Sequence, residues 1–279
     1  MLLALSVHPS FAGRIVGEDV VRSSRGTPMT EFRDRFDNRI TRIVVPEGET
    51  VLRSDAVAEM SGEPDTVAPD APQAAVEDLP HHVLSYLTAS RYCDSDELGD
   101  FAWRQFSGTA PGWPRVQAIC DFVHEQTSFG YKFGRPTKTA RDVFDEKTGV
   151  CRDFAHLAVA FCRAMNIPAR YASGYLGDIG WPYSGPGDFC AWFEVFLGGQ
   201  WYTFDARYNS PRIGRILMVR GSDAADVAMM TSFGDYRLDR FCVWTDEVRG
   251  EHDDAALLKM LETRPDAAAL VEPSSGRAA

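Results

Sequence analysis

The sequence predicts an α+β protein in two parts. Three observations carry that prediction: a strand-like pattern up to about Met60, a switch to helical periodicity beyond Pro80, and a return of strand signals between Ala169 and Asp205. A chain of 279 residues has room for a main domain with a smaller companion.

The first part reads as a small β unit. LLALSV, EFRDRFDNRITRIVV and VLRSDAVAEM have strand character, and in the second of these Phe36 and Ile40 flank an Asp37-Asn38 turn signal. Residues 61–80 then hold four prolines, five acids and no Lys or Arg, the composition of an exposed linker.

Beyond the linker the apolar residues recur with a helical period. Helices are expected near 80–89, 94–106 and 114–126; in the third, Val116, Ile119, Cys120 and Val123 share one face behind a proline suited to a first turn. Residues 151–165 give the clearest helix: Phe154, Leu157, Ala158, Phe161, Cys162 and Met165 form one apolar stripe, which Asn166-Ile167-Pro168 ends. Strands follow at 169–175, 189–197 and 200–205, with Gly198-Gly199 as a two-residue hairpin loop between the last two. After Gly250 an acidic, alanine-rich stretch predicts a frayed or disordered tail. The expected plan is a β domain over 1–60, a linker over 61–80, the main domain over 81–250 and a tail over 251–279.

Composition narrows the function classes. Twenty-nine Lys plus Arg against 40 Asp plus Glu leave a net charge of −11, which repels phosphate backbones and anionic lipid, so neither nucleic acid nor a membrane surface is an expected partner. No apolar run approaches the ~18 residues of a membrane-spanning helix. The opening MLLALSV lacks the basic residues that precede a secretory leader and reads as a strand. Six cysteines without CxxC or Cys/His ligand spacing suggest neither a disulfide framework nor a zinc module. The expectation is a cytoplasmic protein with reduced thiols, without cofactor or metal.

The chemistry-bearing residue is Cys151. It follows Gly149-Val150 and opens the long buried helix, where unpaired backbone N–H groups and the helix dipole favour a thiolate. Cysteine is also a common core residue, and Cys162 on the same helix reads that way. The hairpin adds a second cluster. With Gly198-Gly199 as its loop, Leu197 faces Gln200, Val195 faces Tyr202, Phe193 faces Phe204, Trp192 faces Asp205 and Cys190 faces Arg207. Cys190, Trp192 and Glu194 then share a face with Asp205, Thr203 and Trp201, and Cys190 and Asp205 become diagonal neighbours about 7–8 Å apart.

GVCRDFAHLAVAFCRAMNIPARY, DFCAWFEVFLGG and WYTFDAR together resemble the transglutaminase-like superfamily, over about Val76 to Val248. The resemblance implies a papain-like core with the Cys151 helix packed on an antiparallel sheet. It matches Cys151 to the family nucleophile and Asp205 to the carboxylate that orients the base. It implies a cysteine protease or amidase acting on a peptide or protein substrate at peptide or glutamine amide bonds, with hydrolysis favoured over amine transfer. At one triad position this sequence departs: Cys190 stands where the family's DFHAW-type motif has histidine. A thiol is shorter than an imidazole, and with a pKa near ~8.5 it is a poor proton shuttle. Two further readings stay open, a catalytically silent peptide- or protein-binding module, and a thiol switch in which Cys151 and Cys190 form a disulfide or share a soft metal.

The remaining candidates each have a bland reading beside the functional one. His156 lies five residues after Cys151, about 140° round the helix, and points away from it. His124 is expected to be a satisfied, partly buried structural histidine, and His81-His82 to face solvent. Arg207 either pairs with Asp205 or faces water. Tyr131 lines the cleft or is core. Trp181-Pro182-Tyr183 with Gly180, Gly185 and Gly187 covers a peptide cleft or merely connects, and the PRIGRI segment is a solvated turn or touches an acidic substrate.

Overall fold

In the computed structural model, which describes residues 1–177, 179–180, 189–243 and 245–263, the N-terminal part is built of short strands. They are β1 (Leu2–Leu3), β2 (Ile15–Val16), β3 (Val21–Ser23), β4 (Met29–Arg33), β5 (Arg39–Ile43), β6 (Leu52–Ser54) and β7 (Val57–Ala58). The β4–β5 hairpin turns at the expected place, with Asp37 at φ 65 and both Phe36 N–H and Asn38 N–H donating to the Asp34 carboxylate. A short 3-10 helix at His81–Leu87 leads to α1 (Ser95–Phe106) and α2 (Trp113–Gln126). After them come β8 (Ser128–Phe129), α3 (Ala140–Glu146), β9 (Thr148–Gly149) and α4 (Cys151–Ala164). The remaining elements are β10 (Ala169–Leu176), β11 (Phe189–Leu197), β12 (Gln200–Phe204), β13 (Arg215–Gly221), β14 (Met230–Thr231) and α5 (Asp254–Thr263). The fold is α+β, with two four-stranded antiparallel sheets ordered β14-β1-β5-β4 and β12-β11-β10-β13.

Helix α4 is central. The expected stripe is buried, but so are Ala155, His156, Val159, Ala160 and Arg163, because α1, α2 and α3 cover the side of α4 that β10 and β11 do not. Phe161 meets the rings of Phe101, Phe106, Phe122 and Phe144 at centroid separations of 5.7, 5.5, 5.8 and 6.0 Å. A fully buried ring of this kind is worth roughly 3–5 kcal/mol against alanine. At the C-terminal end Asn166 takes φ 61, and Ile167 N–H bonds back to Cys162 O at 2.9 Å, the closure that stops a helix before a proline. Arg163, buried there, donates to the carbonyls of Ala169, Thr88 and Ser222 and so ties the helix end to three other segments.

The β11–β12 hairpin has the expected register. Leu197 pairs with Gln200, Val195 with Tyr202 and Phe193 with Phe204, and Gly198 and Gly199 adopt φ 55 and 89, which a two-residue turn between right-twisted strands demands. The expected Trp192–Asp205 and Cys190–Arg207 pairs do not form. The ladder ends at Phe193–Phe204, because the Asp205 carboxylate accepts from the N–H groups of Arg207 and Tyr208 and turns the chain away.

Two compositional expectations are corrected. Residues 61–80 are mostly exposed but are not a free linker: Ala71 and Leu79 are buried, Pro64 bridges Ile213, and Asp65 holds Arg215, so specific contacts tie the stretch down. Nor is 251–279 frayed throughout. Residues 254–263 form α5, with Ala256 N–H donating to the Asp253 carboxylate, and Leu258 methyls filling the space over Gly17, where a Cβ would lie 2.6 Å away. The N-terminal part is also stitched to the main sheet. Buried Asn38 exchanges hydrogen bonds with both the N–H and the C=O of Arg220, at 2.8 and 2.7 Å, and β1 pairs with β14. Among the described residues no helix is long and apolar enough to cross a membrane.

Candidate active site

The site begins with a turn that leaves no room for a side chain. A Cβ on Gly149 would lie 2.6 Å from the Asp153 Cβ, so glycine lets Asp153 fold back under the start of α4. There its carboxylate accepts from Val150 N–H at 2.9 Å and pairs with Arg152 at 3.0 Å, satisfying a donor that the helix leaves open. Buried Lys138 donates to Thr148 O at 2.7 Å and pairs with Glu146, which holds β9, the approach to Cys151, in place.

Cys151 is the first residue of α4 and is partly exposed. Its sulfur adjoins the Cys190 thiol, which donates to Ala191 O at 3.6 Å, stands beside the Arg207 guanidinium, and is approached by the N–H groups of Ala191 and Arg152. The neighbouring Cys190 thiol is the largest influence. Burial opposes it, and Arg207 with the two backbone N–H groups tips the balance, bringing the thiol from 9.0 down to about 7. Cys190, on β11 and 4% exposed, moves the opposite way. The neighbouring Cys151, its own burial and the negative charge of Asp205 push it well above the usual thiol range. The pair therefore loses its first proton from Cys151 while Cys190 keeps its own.

Cys190 is reached across the sheet through a glycine. Gly174, its partner on β10, sits at a register shift against β13, and a Cβ there would lie 2.0 Å from Ile216 O. Only glycine permits that approach.

Asp205 is brought to the same end of the sheet, but it is not hydrogen-bonded to Cys190. One oxygen accepts from Arg207 N–H and Tyr208 N–H at 2.9 and 3.0 Å; the other pairs with Arg215 at 2.8 Å. Arg215 is itself buried, and its Nε pairs with Asp65 at 2.8 Å. Burial alone would lower the guanidinium pKa, but the charges of Asp205 and Asp65 raise it. Sequence reasoning missed this bridge. Asp65 lies in a stretch that reads as linker, and Arg215 in one that reads as a solvated turn; the signal that pointed inward was an arginine opening the apolar run RILMV. Arg212 of the same segment is buried too, its guanidinium 4.2 Å from the Tyr208 ring centre.

The other candidates resolve as follows. Arg207 neither pairs with Asp205 nor projects freely into water: it lies 3.7 Å over the Phe129 ring, with its charge on Cys151. His156 is fully buried between the rings of Tyr92 and Tyr171, and its Nε2 accepts from Ala224 N–H, so it is remote from proton transfer at Cys151. His124 is exposed and not partly buried, because its place on the outer edge of α2 faces water; Nδ1 donates to Arg207 O at 2.8 Å. His81 and His82 are exposed. Tyr131 is not core: it is 69% exposed and packs its ring edge-on to Phe129, next to Arg207. The Trp181-Pro182-Tyr183 loop lies outside the described residues apart from Gly180. None of the chain's six histidines hydrogen-bonds Cys151.

Comparison with known proteins places these residues in a wider set. Residues 101–206, which include Cys151, Cys190 and Asp205, match the profile of the transglutaminase-like superfamily. An uncharacterised protein of Mycobacterium leprae is 36% identical over 93 residues, 31% of this chain and 32% of that protein, so the match spans about a third of the relative. An uncharacterised Mycobacterium tuberculosis protein is 28% identical over 218 residues, covering 70% of this chain and 68% of the relative. Among solved structures, that of a candidate cysteine protease from Cytophaga hutchinsonii is similar with a TM-score of 0.68 at 28% identity, covering 91% of this chain and 88% of that one.

Proposed function

We propose, from the premise that residues 101–206 are a transglutaminase-like superfamily domain, that the chain is a thiol acyl-transfer enzyme, a cysteine protease or amidase with Cys151 as its nucleophile. The observation that carries the reading is the environment of the Cys151 sulfur: a helix N-terminus, the adjoining Cys190 thiol, the Arg207 charge and two inward N–H groups, which together stabilise a thiolate without an imidazole.

The thiolate attacks the carbonyl carbon of a peptide or glutamine amide. The tetrahedral intermediate then expels the amine, and water resolves the thioester. Expulsion needs a proton. Cys190 is the thiol that adjoins the sulfur, and it fills the place that the resemblance gives to histidine. A thiol whose pKa is raised is a weak acid near neutral pH, so proton delivery is the slow step. Asp205, with both oxygens engaged by Arg215 and backbone N–H groups, acts as a fixed negative charge that keeps Cys190 protonated.

The missing histidine contact supports a second reading, a silent module that binds peptides in the same cleft. One experiment separates the two: turnover of a broad library of peptides and glutamine amides by the wild type, Cys151→Ala and Cys190→His. The enzyme reading expects wild-type turnover that Cys151→Ala abolishes and Cys190→His raises. Peptide binding with no Cys151-dependent turnover overturns it in favour of the binding module.

A further inference from the structure

We propose that Cys151 and Cys190 form a peroxide-oxidisable dithiol, in which a hydroperoxide oxidises Cys151 and Cys190 resolves it into a reversible intramolecular disulfide. The inference concerns the same two residues as the acyl-transfer reading but does not require it.

Geometry carries the argument. Cys151, the first residue of α4, packs against the small cluster that holds Cys190 of β11, so the thiol that meets a newly oxidised Cys151 is Cys190. The two residues differ in access as resolving pairs do: Cys151 is partly exposed, whereas Cys190 is packed among Ala172, Leu176, Trp192 and Leu217. Cys120 and Cys162, both buried in the main core with their thiols pushed up by burial, lack a thiolate that a peroxide can meet. Thiolate character at Cys151 is consistent with the assignment, since the thiolate is the species that peroxide oxidises.

The steps balance. The Cys151 thiolate attacks one oxygen of the hydroperoxide, the O–O bond breaks, and hydroxide or alkoxide leaves; sulfur is oxidised to the sulfenic acid and the peroxide is reduced. The Cys190 sulfur then attacks the Cys151 sulfur. The S–O bond breaks, the S–S bond forms, and the Cys190 proton leaves with the hydroxide as water. A dithiol reductant reverses the second state to two thiols.

The test uses the full chain, reduced, treated with stoichiometric hydrogen peroxide and then alkylated. Trypsin releases Cys151 in residues 148–152 and Cys190 in residues 171–207, because Lys147, Arg152, Arg170 and Arg207 bound them. The expected result is one species in which these two peptides are linked, loss of two hydrogens in the intact mass, and loss of iodoacetamide labelling at Cys151 that dithiothreitol restores. In Cys190→Ser the link disappears and dimedone traps Cys151 as its sulfenic acid. Native wild type in which peroxide never links 148–152 to 171–207 overturns the proposal, and this readout needs no variant to fold. Linking without turnover leaves this inference standing and sinks the hydrolase, whereas Cys151-dependent turnover without linking does the reverse.

Discussion

Removing the Cys190 thiol by Cys190→Ala tests the electrostatics of the nucleophile directly. In the wild type Cys151 titrates at about 7 against 9.0 for an unperturbed thiol. At pH 7 about half of Cys151 is therefore thiolate, against about one in a hundred for an ordinary thiol, a gain of roughly fiftyfold in reactive species. Nucleophilicity falls with basicity at a Brønsted slope of ~0.4–0.5, so a shift of about two units costs roughly six- to tenfold. The net expectation at pH 7 is alkylation of Cys151 about five- to eightfold faster than the same residue in the unfolded chain, with the order reversed above about pH 8. The rate falls as pH drops through about 7. Cys190→Ala deletes the largest stabilising influence, so the midpoint moves up towards 9.0; Arg207→Gln moves it up by less, as Arg207 ranks below the Cys190 thiol. The assay is the pH dependence of iodoacetamide labelling read by peptide mass spectrometry, with Cys162 as the unreactive internal reference. A wild-type midpoint near 9.0, or one that Cys190→Ala leaves in place, would refute the reasoning.

Two stability predictions follow from buried charges. Arg215→Met leaves the Asp205 and Asp65 carboxylates without their shared cation, for which a loss of roughly 3–5 kcal/mol is expected. At about 2–4 °C per kcal/mol that is a fall of roughly 6–20 °C in thermal midpoint; a loss below about 1 kcal/mol, as for an exposed pair, would contradict the bridge. His156 and His8 are held neutral, at about 3 and about 4, chiefly by burial. Both folded values lie below the unfolded 6.5, so the unfolded chain binds protons first, and the stability present above 6.5 drains away as pH falls towards them. Each histidine contributes a slope of about 1.4 kcal/mol per pH unit. Urea unfolding between pH 7 and pH 4.5 should be less steeply pH-dependent in His156→Gln than in the wild type; equal slopes would show that His156 protonates freely in the native state.

Local pattern was enough for elements whose period and punctuation agree. The α4 stripe, the Asn166 stop and the Gly198-Gly199 turn each combine an apolar spacing with a residue whose backbone freedom the turn needs, and each stands where the sequence put it. Composition misled where a few long-range contacts decide. The acidic, proline-rich 61–80 stretch packs down because Asp65 finds Arg215, 150 positions away, and α5 is ordered by Leu258 over Gly17. For the same reason neither arginine near Asp205 behaves as the local pattern suggests: Arg207 stacks on Phe129, and Arg215, from the segment read as a solvated turn or a contact for an acidic substrate, holds Asp205.

What the sequence by itself determined is therefore the α+β class, the helix that begins at Cys151, the hairpin register and the presence of cysteine where the family resemblance expects histidine. These depend on residues within a few positions of one another. Only the tertiary structure decided that the Cys190 thiol adjoins Cys151, that Arg207 supplies the positive charge, and that Asp205 is saturated by Arg215 and backbone N–H groups. The physical reason is that thiol acidity and carboxylate pairing are set within a few ångströms in space, by groups from α4, β11, β13 and the turn after β12 that the chain brings together only when it folds.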